Sequence, residues 1–193
     1  MATTTSSPPA RQTCRLHPFP GSGDTPVRSL TVELAWTVNR ELALTYQLEG
    51  DHGRIALPPQ AAGFADGLWQ HTCFEAFFAG STAPAYREFN FSPSGQWAAY
   101  AFTAYREGGE PMPAPLPRMA VSRFPDCLEL RTVLAAAALP AADDAAWRVG
   151  LSAVVESIDG HCSYWALAHP AERPDFHHRD AFILELSHLP NPP

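Results

Sequence analysis

An indole, an imidazole and a carboxylate lie at odd-numbered positions in the middle of the chain, at Trp69, His71 and Glu75. Two more polar side chains, Glu88 and Asn90, follow after a turn signal and are separated by a single residue. Alternate residues of a β-strand point to the same face of a sheet. The spacing therefore predicts a mixed aromatic and polar face, where the indole stacks on a sugar ring and the polar groups bond its hydroxyls.

The elements that must position these residues are three short segments between residues 66 and 108. Each alternates with a period of two, and turn signals at Gly80-Ser81 and Ser92-Pro93-Ser94-Gly95 separate them. This pattern predicts three neighbouring antiparallel strands, the first of which already includes Leu68 and Trp69. The opposite face carries phenyl and aliphatic side chains and is predicted to face the core.

The whole chain has the length and composition of one all-β domain. It has 193 residues with 20 Pro and 12 Gly, and many short β-patterned runs lie between them. These features predict a single antiparallel β-sandwich with long loops and little helix, preceded by a disordered lead-in. The predicted boundaries are 1–13 for the lead-in and 14–189 for the domain, with a first edge strand over Cys14–Phe19.

Charge and targeting signals exclude several kinds of partner. The net charge is −7 and the sequence has no basic cluster, so neither a nucleic acid nor an anionic membrane surface is expected as a partner. No apolar segment of signal-peptide or membrane-spanning type is found, and the four cysteines form no CxxC pair. We expect a soluble cytoplasmic protein with reduced thiols; the sequence does not indicate an oligomeric state.

Three segments of the chain resemble the DOMON-like superfamily, and more narrowly its bacterial branch similar to family 9 carbohydrate-binding modules: LWQHTCFEAFFA, YREFNFSPSGQWAAY and YWALAHPAERPDFHHRDAFILEL. The resemblance extends from Cys14 to Ser187. It implies a single β-sandwich. Better-known members of the superfamily bind sugars, often the ends of glycans, in an aromatic-lined site, whereas a related branch binds haem.

The resemblance also implies roles for individual residues. Trp69 matches a stacking tryptophan, Glu75 a carboxylate that accepts sugar hydroxyls, and Asn90 a carboxamide on the neighbouring strand. The sugar binders have an arginine two residues before that carboxamide, where this chain has Glu88. A second stacking aromatic is expected near the C-terminus, and both Trp165 and Phe176 are candidates.

Two alternatives to a non-catalytic sugar-binding module stay open. In an enzyme, Glu75 would exchange protons with His71 or His177, or would work with Glu88 as a carboxylate pair. In a haem or divalent-metal protein, Met112 or Met119 would ligate haem with a histidine, or histidine and cysteine side chains would hold the metal. The expected partner is a small carbohydrate-like molecule, with no cofactor.

Overall fold

The structure is a computed structural model that describes residues 11–113, 115, 117–141 and 146–188. Residues 1–10 of the predicted lead-in lie outside the described residues, as does residue 189 at the predicted end of the domain. Residues 11–13, also assigned to the lead-in, already belong to the first strand. The first strand therefore begins three residues before the predicted start of the domain.

Strands dominate the described residues, which contain thirteen of them. In chain order they are β1 (Arg11–Pro18), β2 (Val27–Trp36), β3 (Leu42–Gly50), β4 (Gly63–Phe64), β5 (Cys73–Ala79), β6 (Tyr86–Phe91), β7 (Gln96–Ala104), β8 (Glu107–Pro111), β9 (Arg118–Arg123), β10 (Cys127–Leu134), β11 (Ala146–Glu156), β12 (Cys162–Ala166) and β13 (Leu184–Ser187). Helix is confined in these residues to four three-residue 3₁₀ turns, at His52–Arg54, Leu68–Gln70, Ala136–Ala138 and Arg179–Ala181. The prediction of an all-β fold with little helix is confirmed.

The strands form one continuous, curled sheet in the order β4-β7-β6-β5-β11-β12-β1-β2-β3-β10-β9, with β8 added to β7 and β13 to β11. All pairs are antiparallel except β4 with β7. We call β1, β2, β3, β10 and β9 the first half, and the remaining strands the second half. Among the described residues, no helix has the length and apolar character needed to cross a membrane.

The first strand joins the two halves, so its prediction as an edge strand was wrong. Residues Arg11 to Leu16 pair with β2, and His17 and Pro18 pair with β12. The backbone N–H of Phe19 then continues the bonding to Tyr164 on β12, at 2.7 Å. The pairing with β2 ends at Leu16, and the chain then pairs through its other edge with β12.

The core lies between the two halves and follows the period-two alternation of the strands. Leu30, Val32 and Leu34 of β2 are fully buried there, and they belong to the same cluster as Phe74 and Phe78 of β5. Burial of each side chain of this size stabilises the folded state by roughly 1.5–3 kcal/mol.

The face of the second half that points away from this core is also covered near β5. All seven residues of β5 are buried, although only alternate ones can reach the main core. A smaller apolar cluster covers the other face, where Phe182 of the C-terminal segment packs with Phe77 and Tyr86. The chain after β12 therefore returns across the predicted polar face of the sheet.

Candidate functional site

An open cavity of about 870 Å³ lies on this outer face of the second half. Its aromatic lining residues are Trp69, Tyr100, Phe102, Tyr164 and Phe176. Its polar and charged lining residues are Asp66, Gln70, Glu75, Glu88, Arg106, Arg173 and His177. The volume lies within the range typical of small-molecule sites, which is about 300–1,000 Å³.

Trp69 reaches the cavity from a turn, and the prediction that it lies on the strand of Glu75 was wrong. The strand begins only at Cys73, and Trp69 belongs to the preceding 3₁₀ turn. Gly67 starts that turn with φ = +71°, a left-handed conformation that favours glycine. The carboxylate of Asp66 accepts the Gly67 N–H at 2.9 Å and fixes the turn. The indole, 52% exposed, stands at the edge of the cavity.

Glu75 lies on the cavity floor, on the outer face of β5. One of its oxygens, Oε2, accepts a hydrogen bond from the Ser152 hydroxyl on the neighbouring strand at 3.3 Å. The other oxygen, Oε1, is buried and has no hydrogen-bonding partner among the described residues. Burial, reinforced by the nearby charge of Glu88, raises the pKa of Glu75 well above its ordinary value. The site therefore offers an unused oxygen on a carboxyl group that resists ionisation.

Glu88 lies beside Glu75 on the neighbouring strand. Glu75 of β5 is paired with Asn90 of β6, and Asn90 is two residues from Glu88. The side-chain amide of Asn90 donates to Glu88 Oε1 at 2.7 Å. Burial raises the pKa of Glu88 to about 7, although the Asn90 hydrogen bond and the charge of Arg106 oppose this change. Asn90 is fully buried and thus supports Glu88 from behind.

His177 forms the wall next to Glu88, with its Nε2 atom 3.8 Å from Glu88 Oε2. Its Nδ1 atom lies 2.8 Å from the Tyr86 hydroxyl, and that hydroxyl also accepts the backbone N–H of Arg106 at 3.2 Å. The direction of the Tyr86–His177 hydrogen bond depends on which ring nitrogen of His177 carries the proton, because the phenol oxygen can accept a second hydrogen bond or donate its own proton. Burial lowers the pKa of His177 to about 4, so the ring is neutral at pH 7 and its contact with Glu88 is not an ion pair.

The C-terminal segment that carries Phe176 and His177 is fastened to the turn between β7 and β8. Asp175 accepts hydrogen bonds from the Tyr105 hydroxyl at 2.5 Å and from the Arg106 guanidinium at 2.9 Å. The same guanidinium and carboxylate form an ion pair. These contacts hold one wall of the cavity in place.

The structure brings some of the predicted site residues into the cavity and leaves others outside it. Trp69, Glu75, Glu88, Phe176 and His177 line it. The remaining three are His71, Asn90 and Trp165.

His71 and Trp165 lie away from the cavity lining. The imidazole of His71 is exposed and contacts Glu156 at 2.8 Å. Trp165 is 3% exposed in the main core and donates its indole N–H to the Ser163 hydroxyl at 3.1 Å. Since Trp165 alternates with Tyr164 on β12, its side chain points to the core face while Tyr164 points to the cavity. Of the two C-terminal aromatics, Phe176 is thus the one at the cavity.

Several cavity residues were missed by the sequence analysis. Tyr100 is not among the predicted site residues, yet it lines the cavity, and its hydroxyl donates to Asp66 at 2.5 Å. Its position follows from register, because Glu88 pairs with Tyr100 and Tyr86 pairs with Phe102. Aligning β6 against β7 around the Ser92–Gly95 turn would have found both aromatics. Nothing local predicts Arg173 or Tyr164, which long-range folding brings to the site.

The residues suggested for metal or haem binding do not converge. Within the described ranges, no group of three or more His, Cys, Asp and Glu side chains is arranged to hold a metal ion. Met112 and Met119 pack against the main core. Neither appears among the residues that line the cavity.

Comparison with known proteins supports the fold. No protein-family model matches the chain, and no curated protein matches it in sequence. A crystal structure of a Bacteroides uniformis protein, whose provisional description is a carbohydrate-binding protein, is similar in fold. It aligns with a TM-score of 0.66 and 16% identity over 91% of this chain and 84% of that chain. At this identity the likeness establishes that the two chains share an all-β fold.

Proposed function

We propose that this chain is a carbohydrate-binding module that holds a sugar or sugar-containing metabolite in the cavity beside Trp69. The observation that carries the proposal is the combination, in one open cavity, of an exposed indole with the carboxyl groups of Glu75 and Glu88. Sugar sites need an apolar platform for the ring and hydrogen-bonding groups for its hydroxyls. Both lie here on one side of the sheet.

Each lining group has a part in this proposal. The ring of the sugar stacks on Trp69, and Phe176 contributes a second apolar surface. Glu75 Oε1, which has no protein partner, receives a ligand hydroxyl. A ligand hydroxyl group between His177 Nε2 and Glu88 Oε2 forms hydrogen bonds with both, since the 3.8 Å between those atoms is too long for a direct hydrogen bond.

Two similarities support the proposal. The sequence resembles the DOMON-like branch similar to family 9 carbohydrate-binding modules, and the fold is similar to that of the Bacteroides uniformis protein. We further propose that the curled sheet is a sandwich of DOMON type, because both halves contribute side chains to one core. A cytoplasmic location is also part of the proposal.

The test is calorimetric titration with a panel of monosaccharides, using the wild-type protein and Trp69→Ala. Loss of a stacking indole costs on the order of 1.4 kcal/mol, so we expect an affinity about tenfold weaker in the variant. Phe124→Ala is the matched control, because Phe124 is 53% exposed and Trp69 52% exposed, but Phe124 lies outside the cavity lining. The proposal fails when no sugar in the panel binds, or when Trp69→Ala binds as tightly as the wild type.

A further inference from the structure

Two buried carboxyl groups lie on the cavity floor, and no arginine within the described residues forms an ion pair with either of them. Glu75 is 3% exposed and Glu88 is 4% exposed, and they lie on adjacent strands of the same face. Their protein hydrogen bonds come from neutral donors, the Ser152 hydroxyl and the Asn90 amide. Buried carboxylates in proteins are normally paired with a cation, because burial of an isolated charge is costly.

Two guanidinium groups, those of Arg106 and Arg173, also line the cavity, but neither forms an ion pair with Glu75 or Glu88. The nearest histidine, His177, contacts the Tyr86 hydroxyl through Nδ1, and burial lowers its pKa to about 4, so it is neutral at pH 7. The guanidinium of Arg106 is bonded to Asp175 instead. The sequence contains no lysine, and among the described residues no arginine forms an ion pair with Glu75 or Glu88. Burial raises the pKa of both groups, and the charge of Glu88 raises that of Glu75 further, whereas the charge of Arg106 opposes the rise at Glu88.

The walls above the carboxyl groups suit an organic cation. Trp69, Tyr100, Phe102, Tyr164 and Phe176 all line the same cavity. The faces of aromatic rings attract ammonium groups, and pockets of this kind recognise amines. No third His, Cys, Asp or Glu completes a metal site there within the residues described.

We infer that the ligand carries a protonated amino group, held by the Glu75 and Glu88 carboxylates between the aromatic walls of the cavity. This inference rests on the proposed function and narrows it to amino sugars. The ammonium group donates to Glu75 Oε1, which has no protein partner, and to Glu88 Oε2. It supplies the positive charge that the floor lacks, and both carboxyl groups ionise when it binds.

The experiment compares sugars that differ only in the amino group, by calorimetric titration at pH 6.5. Each amino sugar is compared with its own parent sugar: glucosamine with glucose, galactosamine with galactose, and mannosamine with mannose. N-acetylglucosamine serves as an uncharged analogue of similar shape. In at least one pair we expect the amino sugar to bind about tenfold more tightly, because charge-assisted hydrogen bonds replace neutral ones. Binding of that amino sugar should also release protons to the buffer.

Variants then locate the effect. Glu75→Gln and Glu88→Gln keep hydrogen-bonding groups of the same size and remove the charge, so each should reduce the preference for the amino sugar to about twofold or less. Glu129→Gln is the control, because Glu129 is also buried, at 8% exposed, but lies in the first half of the sheet on β10. It should leave the preference unchanged.

The outcomes separate this inference from the proposed function. Binding of neutral sugars without any gain from the amino group overturns the inference and leaves the sugar-binding function standing. Failure of all the sugars to bind overturns both. A preference that survives in both Glu75→Gln and Glu88→Gln also overturns the inference, since the charge would then act elsewhere.

Discussion

Glu88 lies on the strand next to that of Glu75, so the cavity floor carries two acids side by side. Burial makes ionisation of this pair costly. The Asn90 hydrogen bond supports Glu88, whereas the neutral His177 supplies no positive charge. The free protein consequently stores unfavourable electrostatic energy at its cavity floor.

That energy predicts a pH-dependent stability. The pKa of Glu88 is about 7 in the folded protein, against an ordinary value of 4.5. A raised carboxyl pKa means that the folded state binds the proton more tightly, so the free energy of unfolding falls as pH rises from about 4.5 to 7. With about 1.4 kcal/mol per pKa unit, the loss is roughly 2–4 kcal/mol.

We expect Glu88→Gln to abolish most of this loss and to be more stable than the wild type at pH 8, with little difference at pH 4. Urea unfolding at both pH values measures it. Glu129→Gln serves as the control and should gain no stability at pH 8, because its carboxylate pairs with Arg131 at 2.7 Å. An identical pH profile in the wild type and Glu88→Gln would contradict the prediction.

At the scale of elements, the C-terminal segment between β12 and β13 closes the site. Phe182 packs between β11 and the rings of Phe77 and Tyr86, with ring centroids 5.5 and 5.8 Å apart. Arg148 on β11 donates to the Phe182 carbonyl at 2.9 Å. This anchor positions Phe176 and His177, which lie a few residues earlier on the same segment.

The anchor depends on Gly150 in the middle of β11. A Cβ atom at this position would lie 2.6 Å from Phe182 Cδ1, so Gly150→Ala must displace the ring. We expect a loss of about 1–3 kcal/mol in the free energy of unfolding, as for other overpacked sites. Weaker ligand binding should accompany it, because the cavity wall shifts.

Urea unfolding and calorimetric titration measure these two effects. Gly53→Ala is the control, since the nearest atom to its added Cβ is the flexible Asp51 side chain at 3.3 Å, and its effect on stability should be small. Equal stabilities for Gly150→Ala and Gly53→Ala would show that the anchor is not needed.

At the scale of the whole molecule, a buried tyrosine couples the two halves of the sheet beneath the site. Tyr46 of β3 is fully buried, and its hydroxyl donates to the backbone carbonyl of Glu75 at 2.9 Å. Its ring lies 5.0 Å from that of Phe74. The strand that carries the cavity floor is thus fixed from the core side by the opposite half.

We expect Tyr46→Phe to keep the ring packing and to lose about 1 kcal/mol in the free energy of unfolding, the typical contribution of a buried hydrogen bond. Urea unfolding measures the change, and Tyr105→Phe on the exposed β7–β8 turn is the comparison. A Tyr46→Phe protein as stable as the wild type would mean that the hydroxyl does not link the halves.

The amino-acid pattern alone predicted the strands and the two faces of the central sheet. Alternation with a period of two is a local property, so it identified β5, β6 and β7, and it placed Glu75 and Glu88 on the face opposite the phenyl groups of Phe74 and Phe89. Composition was sufficient for the all-β class, because short patterned runs between frequent Pro and Gly leave no room for long helices.

Tertiary structure decided which of these residues meet. Trp69 reaches the cavity because Gly67 turns the chain, and His177 meets Tyr86 across 91 positions of sequence. The choice of Phe176 over Trp165 depended on which side of β12 faces the core. Such contacts arise from the docking of distant segments, and local periodicity carries no information about that docking. The sequence therefore determined the kinds of group available to the site, whereas folding determined that two acids would share its floor without a cation.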